Sequence, residues 1–380
     1  MKRKKVLFLL LVFSTLGVFA FSLLNKSDQQ QNLNTEKATV AVANDSPVVA
    51  LKTDTIKAVA ATTQQYSDSI SLFQQAFEEI KLMLEGKRQL DFKRAVFIVE
   101  NAYLDNSLNY MEYCNQINSI AVKLKDLIKQ KHFESYKTSG NWAAFTYMCD
   151  SIPENNFHPF DYDFDDFMGD EDWSKMFVTK LLSSKKGQCH SLPMLYKILC
   201  DEIGAEAHLA LAPQHLYVKH IDEQGAWTNV ELTNKSFPRD QWIISQMEIT
   251  REAIKQDVYM YPMNDKESIA LCLFDLAQCY DKKFGLDSFS LMVIDEGLKY
   301  YPNCINLWME KVENIGILIE NEKQRENPDR NFIEQNIALY KELNAQVDAM
   351  GYKEESPEAY AEWVKTIEQE KEKRGLTEKN

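Results

Sequence analysis

Three residues in the middle of the chain could perform acyl chemistry together. They are a thiol, an imidazole and a carboxylate, at Cys189, His215 and Glu231. A thiolate attacks a carbonyl carbon, an imidazole takes up and returns the proton, and an acid orients that imidazole. If the three side chains meet in the folded protein, they can cleave or transfer an acyl group at a peptide or carboxamide bond. This chemistry requires no cofactor.

A helix is predicted to begin at or near Cys189. Apolar residues recur at helical spacing after the cysteine, Pro193 suits a first helical turn, and Gly204 suits a C-terminal cap. A thiol at the start of a helix lies near free backbone N–H groups and the positive end of the helix dipole, which favour the thiolate. The N–H of Cys189 could also hold the oxyanion that develops during attack.

Three short strands are predicted after this helix, at residues 207–212, 215–221 and 226–232. The last two are predicted to form an antiparallel hairpin. Its loop is expected to contain three residues, 223–225, because hairpin loops of that length favour glycine at the left-handed position.

The length of this loop decides which histidine belongs to the site. Side chains on a strand alternate between its two faces, so His215 shares a face with Glu231 only if the loop has an odd number of residues. A loop ending at Gly225 meets that condition. We therefore expect His215, and not His220, to lie beside Glu231 and near Cys189.

Three motifs give the segment a resemblance to the transglutaminase-like cysteine superfamily. Gly187-Gln188-Cys189 is similar to the cysteine motif of that family, and His215-Leu216-Tyr217 stands where the family has His-Ala-Trp or similar. Trp227-x-x-Val230-Glu231-Leu232-Thr233 resembles its Trp-x-x-hydrophobic-Asp-Pro-Thr, with glutamate in place of aspartate and leucine in place of proline. The resemblance covers roughly residues 160–245, about a quarter of the chain.

This resemblance implies a fold and a set of roles. The fold is α+β, with a transglutaminase-like core in which a helix packs on a small antiparallel sheet, flanked by helical segments. Cys189 is the implied nucleophile, His215 the base and Glu231 the acid that orients the imidazole. Asn229 shares the strand face of Glu231 and is the alternative orienting residue.

Other interpretations of the same side chains are open. A cysteine at a helix start is often a small buried hydrophobic residue. His190 and His220 are predicted to be surface or supporting polar residues. A metal site would have to use Cys189, His190, His215 and His220. That set lacks the paired spacing of zinc sites, so no metal is predicted.

Composition restricts the function classes. The 380 residues predict two or three domains. Lysine and arginine number 43 against 57 aspartates and glutamates, a net charge of −14, which argues against nucleic-acid binding. The seven cysteines are an odd number, which leaves at least one free thiol in an exported protein.

The first 24 residues have the pattern of a targeting segment. A basic stretch, Lys2–Lys5, precedes an apolar run at residues 6–24. Val18-Phe19-Ala20 offers a signal-peptide cleavage site, while the run is also long enough to remain as a membrane tether. Either outcome predicts an exported protein that is periplasmic, or membrane-anchored and facing the extracytoplasmic side. Residues 25–66 are polar without a lasting period and are predicted to be a disordered linker.

The remaining chain divides into three predicted regions. Residues 67–150 are expected to be a helical subdomain, 151–248 the transglutaminase-like core, and 249–380 a helical region. Within the last region, Ala270–Asn303 resembles one tetratricopeptide repeat, which suggests a surface for a protein partner. An acidic and aromatic stretch, Asp161–Asp172, is predicted to be a solvated loop near the mouth of the cleft.

Two function hypotheses follow. The first is an exported cysteine enzyme that acts on a protein or peptide substrate. It would be an amidase or protease if water accepts the acyl group, and a transglutaminase-like acyltransferase if an amine does. The alternative is a catalytically degenerate transglutaminase-like and tetratricopeptide-like module for protein interaction, with which the glutamate at position 231 is compatible.

Overall fold

The computed structural model describes residues 53–353 together with 365, 367, 369, 371 and 372, and it describes side chains from residue 67 onward. The predicted targeting segment 1–24 lies outside the described residues, as do residues 25–52 of the predicted linker. The prediction of disorder is wrong for residues 53–66, which form the start of the first described helix. Residues 66–353 form one compact unit. Of the helices in the described part of the chain, none combines the length and apolarity that a membrane span requires.

Four helices come first in the described part of the chain. They are α1 (Thr53–Leu84), α2 (Phe92–Tyr103), α3 (Tyr110–Gln130) and α4 (Ser139–Cys149). The carboxylate of Asp91 and the amide oxygen of Asn109 accept backbone N–H groups in the first turns of α2 and α3. These caps satisfy donors that a helix start leaves without partners, and so they fix where each helix begins.

The middle of the chain contains both sheets. Strands β1 (Asp161–Tyr162) and β2 (Lys186–Gly187) pair in parallel, and helix α5 (Val178–Ser184) lies between them in sequence. After helix α6 (Ser191–Ile203), three antiparallel strands follow in the order β3 (His208–Ala212), β4 (His215–Ile221) and β5 (Trp227–Val230). The fold is therefore α+β, as predicted.

Helix α6 is the centre around which this region packs. Its residues from Ser191 to Cys200 are all buried, because α3, α4 and α5 contact it together with β3 and β4. A helix that is covered on every side needs apolar residues all round, and this sequence supplies them. Gly204 ends the helix with φ +75°, the left-handed conformation predicted for a C-terminal cap.

Small helices α7 (Asp240–Gln246) and α8 (Arg251–Lys255) lead to a helical array. The array consists of α9 (Asp265–Phe284), α10 (Ser288–Tyr300), α11 (Ile305–Lys323) and α12 (Arg330–Ala349). Each of these helices contacts the next, which is the packing that a helical repeat requires. The resemblance of residues 270–303 to a tetratricopeptide repeat stays a prediction.

The helical array packs directly on the rest of the unit. Helix α9 contacts α2 and β3, and Tyr280 meets Phe73 of α1 in an edge-to-face contact with ring centroids 5.5 Å apart. Just before α9, the N–H groups of Met260 and Met263 donate to the carbonyls of Leu211 and Leu209 on the outer edge of β3. The segment thereby covers an edge that would otherwise expose backbone donors and acceptors.

The close packing around Gly187 yields a prediction. A Cβ at this position would lie 2.7 Å from Leu181 Cδ1 and from Ser191 Oγ. Gly187→Ala is therefore expected to lower the free energy of unfolding by about 1–3 kcal/mol through overpacking, as measured by urea denaturation. Gly316→Ala is the control, since Gly316 lies inside α11 with only ordinary contacts and alanine favours helix by up to about 1 kcal/mol. Equal stability of both variants would contradict this account.

Candidate active site

Cys189 lies in the turn between β2 and α6. The N–H of Gln188 donates to Ser191 Oγ at 3.0 Å, and the N–H of Leu192 donates to the carbonyl of Gln188 at 3.1 Å. These bonds start the helical turn just before the cysteine, so the predicted helix start near Cys189 is confirmed to within two residues. The side chain of Cys189 is partly exposed and forms no disulfide.

Gln188 fixes the loop in front of the cysteine. Its side chain is fully buried, and Nε2 donates to the carbonyls of Asp163 and Asp166 at 3.1 and 3.2 Å. The N–H of Asp163 in turn donates to the carbonyl of Gly187 at 2.9 Å. In the sequence this glutamine stands out only as part of the Gly187-Gln188-Cys189 motif. Its buried amide positions both the turn of Cys189 and the acidic loop.

The acidic loop is closed by one of its own carboxylates. Asp166 accepts the backbone N–H groups of Asp170, Glu171 and Asp172 at 2.7, 3.2 and 2.8 Å. Its contact with Gln188 places the loop beside the turn of Cys189, where the sequence predicted a loop near the cleft. Within the described residues, no three His, Cys, Asp or Glu side chains are grouped so that they could hold a metal ion.

The hairpin has the predicted register. Val218 pairs with Val230, the N–H of Asp222 donates to the carbonyl of Ala226 at 2.8 Å, and Gly225 has φ +86°. The loop therefore contains three residues and ends at a left-handed glycine. Strand β5 ends earlier than predicted, at Val230, because Glu231 leaves the ladder and pairs with Ser236 instead.

This register brings His215 and Glu231 together. His215 Nε2 lies 2.5 Å from Glu231 Oε2, and the two side chains are only 13% and 10% exposed. The other carboxylate oxygen of Glu231 accepts the N–H and the hydroxyl of Thr233 at 2.9 and 2.7 Å. Glu231 is thus held on both sides, so the direction in which it meets the imidazole is fixed.

Cys189 is the third residue of the site, beside His215 and Glu231. A hydrogen bond joins the side chains of Cys189 and His215. Of the two ring nitrogens, Glu231 contacts Nε2. His220 is buried, and its Nδ1 lies 3.3 Å from the carbonyl of Ile221. The structure therefore brings together the three residues that the sequence singled out and leaves His220 apart.

No family model, curated protein or solved structure matches this chain. The chemistry of the site therefore rests on its own contacts and charges.

The charges of the site favour a protonated imidazole. Burial alone would lower the pKa of His215, but the charge of Glu231 and hydrogen bonds with Cys189 and Glu231 raise that pKa well above its ordinary value of 6.5. Burial alone would likewise raise the pKa of Glu231, yet the charge of His215 and hydrogen bonds from His215 and Thr233 lower it. These shifts favour the imidazolium form of His215 and the carboxylate form of Glu231.

Tyr217 lies beside the imidazole of His215, whereas Asn229 makes its contacts elsewhere. The ring of Tyr217 lies nearly parallel to that of His215, with 6.4 Å between centroids and 13° between planes. Asn229, the alternative orienting residue, donates instead to the carbonyl of Pro238 and the carboxylate of Asp240, at 2.9 and 2.7 Å. Glu231 is therefore the residue that contacts His215, and Asn229 holds the start of α7.

Replacing the acid tests the charge pair. In Glu231→Gln the pKa of His215 is expected to fall, because the charge of Glu231 is the largest of the effects that raise it. Loss of one member of a buried pair is expected to lower the free energy of unfolding by about 3 kcal/mol. Ring NMR signals followed across pH, together with urea denaturation, provide both measurements.

The pH dependence of stability has a defined window. The lowered pKa of Glu231 gives stability that is present above 4.5, and the raised pKa of His215 gives stability that is present below 6.5. The contribution is fully present between these values and is lost as the pH moves beyond either folded-state pKa. Glu231→Gln should flatten this profile, whereas Glu134→Gln, at an exposed carboxylate outside the hairpin, should leave it nearly unchanged. An unaltered profile in Glu231→Gln would show that the pair carries no net charge coupling.

Proposed function

We propose that this protein is a transglutaminase-like cysteine enzyme that hydrolyses or transfers acyl groups at peptide or carboxamide bonds. The observation that carries the proposal is the hydrogen-bonded row of Cys189, His215 and Glu231. A partly exposed thiol, a buried imidazole and an acid held from two sides are the parts that nucleophilic acyl chemistry requires.

The first half of the reaction forms a thioester. The thiolate of Cys189 attacks the carbonyl carbon, a C–S bond forms, and the carbonyl oxygen becomes an oxyanion. The backbone N–H of Cys189, in the turn that opens α6, is the proposed donor to that oxyanion. His215 then gives its proton to the leaving amine as the C–N bond breaks, and Glu231 keeps the ring aligned while its charge changes.

The second half releases the acyl group. Water or a second amine attacks the thioester carbon, and His215 accepts the proton that this nucleophile loses. The C–S bond then breaks, which restores the thiolate beside the protonated ring. Water gives a carboxylic acid, as in an amidase or protease, and an amine gives a new amide. The substrate class proposed is a protein or peptide, and no cofactor takes part.

The order of the elements supports the family proposal. A helix that begins beside the cysteine packs on β3 and β4, and the histidine begins β4. The acid follows β5 directly. The glutamate that stands in place of the family's aspartate reaches the imidazole, with 2.5 Å between Oε2 and Nε2. Although glutamate replaces the family's aspartate at position 231, the proposed acid still contacts the proposed base, His215.

A non-catalytic interaction module is the second candidate. The observation that favours it is the array of α9 to α12, in which successive helices pack on one another in the manner of a repeat. In this case the array would bind a protein partner, and the site would be a retained structural feature. The two candidates differ in whether Cys189 reacts with acyl compounds.

Removing the nucleophile separates the two candidates. Cys189→Ala is expected to reduce acyl-transfer and hydrolytic activity on a panel of peptide carboxamides to background, a loss of about 10³-fold or more, because no covalent route remains. Cys114→Ala is the matched control, since these two are the partly exposed cysteines among the seven, all of which lie in the described part. Thermal melting verifies the fold of both variants. Full activity in Cys189→Ala would end the assignment of this residue.

We also propose that the chain is exported. The basic stretch 2–5 and the apolar run 6–24 support this, and both signals act at the membrane. Cell fractionation is expected to find the protein outside the cytoplasm, released or tethered. A variant that lacks residues 1–24 is expected to stay in the cytoplasm. Recovery of the full chain as a soluble cytoplasmic protein that retains Met1 would contradict export.

A further inference from the structure

His190, the residue that follows the proposed nucleophile, is held at both of its ring nitrogens. Nδ1 lies 3.2 Å from the carbonyl oxygen of Met176, and Nε2 lies 2.9 Å from Asp275 Oδ1. Both neighbours are acceptors, while a neutral imidazole has only one N–H to donate. With Asp275 ionised, the ring satisfies both contacts only when it carries two protons and a positive charge. The two contacts therefore favour the imidazolium form of His190.

The groups around His190 support this charge. Burial alone would lower the pKa of His190, but the charge of Asp275 and the hydrogen bonds with Asp275 and Met176 raise it to about 9. Besides Asp275, the charges of Cys189 and Glu100 act on the ring. Glu100 on α2 is itself buried and accepts the N–H groups of Val178 and Thr179 at the start of α5. All three of these groups are acidic, so none opposes the imidazolium.

We propose that His190 is a positioning residue for Cys189, and that Asp275 locks it in place. It fixes the turn that presents the thiol, and it keeps a positive charge beside the sulfur that stabilises the thiolate. This inference rests on the proposed function, because a fixed charge matters only where a thiolate is used. It assigns His190 a part that differs from proton transfer, since both ring nitrogens already have partners.

The partner of His190 comes from a distant part of the chain. Asp275 lies on α9, the first helix of the array, and its side chain is only 14% exposed. The helical array therefore supplies a group to the surroundings of the nucleophile. On this view the array is part of the enzyme, whether or not it also binds a partner.

His208 provides a matched control. Its Nδ1 lies 2.8 Å from the carbonyl of Met263, and its Nε2 lies 3.3 Å from Glu206 Oε1, so its two contacts are of the same kinds. It stands at the far end of β3 from Ala212, which is the residue that pairs with His215. A step of four residues along the strand places His208 roughly 13 Å from Ala212. If His190 only stabilised the fold, replacing His190 or His208 should have similar effects. An effect on the reactivity of Cys189 is expected from His190 alone.

The test measures the reactivity of Cys189 in the full chain. In a Cys114→Ala background, alkylation of Cys189 by iodoacetamide is followed by mass spectrometry from pH 5 to 10. His190→Gln is expected to move the midpoint of the rate profile up by about one pH unit, which slows alkylation roughly tenfold below the midpoint. His190→Lys restores a positive charge and should recover most of the rate, while His208→Gln should match the parent protein.

A second reagent reads the local charge directly. The ratio of the rates with anionic iodoacetate and neutral iodoacetamide should fall in His190→Gln and recover in His190→Lys. A profile and ratio in His190→Gln equal to those of His208→Gln would overturn the inference and leave the proposed function standing. Unfolding of both His190→Gln and His190→Lys would also overturn the inference, because it would show that His190 is needed for the fold itself. A parent midpoint at or above the ordinary value of about 8.5 would overturn the proposed function, and this inference with it.

Discussion

The buried contact between His215 and Glu231 is the interaction on which the site depends. Neither charge could be buried alone without a cost of several kcal/mol, and each is compensated by the other. Thr233 adds two donors on the far side of the carboxylate, and Cys189 adds a partner on the far side of the ring. A slip of β5 by one residue would send Glu231 to the opposite face and separate the two charges. The three-residue loop of the hairpin is thus as necessary to the chemistry as the side chains themselves.

That dependence explains why much of the site could be predicted from the sequence. The choice of His215 over His220 needs only strand alternation and a glycine at the end of the loop, and both are local properties of the chain. The start of α6 and its end at Gly204 are also local, since they follow from spacing and capping. The end of β5 was harder to predict. Glu231 satisfies its backbone through Ser236 rather than through β4, so the strand pattern continues beyond the ladder.

The remaining features of the site depend on contacts between distant parts of the chain. Asp275 lies 85 residues beyond His190, and no spacing rule joins them. The buried amide of Gln188 holds two backbone carbonyls of the acidic loop, and carbonyls are present at every position of any sequence. A resemblance to a family can indicate which residues meet a thiol. It does not indicate which carbonyl or carboxylate holds the residues behind them.

His190 and His215 show how partners, rather than residue type, assign roles. A general base needs one nitrogen that can release and accept a proton next to the nucleophile. His215 has such a nitrogen, because Glu231 occupies only Nε2. His190 does not, because a carbonyl and a carboxylate occupy both of its nitrogens. One imidazole can therefore move a proton, while the other can only hold its charge. In the proposed mechanism the thiol lies in sequence beside the fixed charge of His190, and it shares a hydrogen bond with His215, the residue that would transfer the proton.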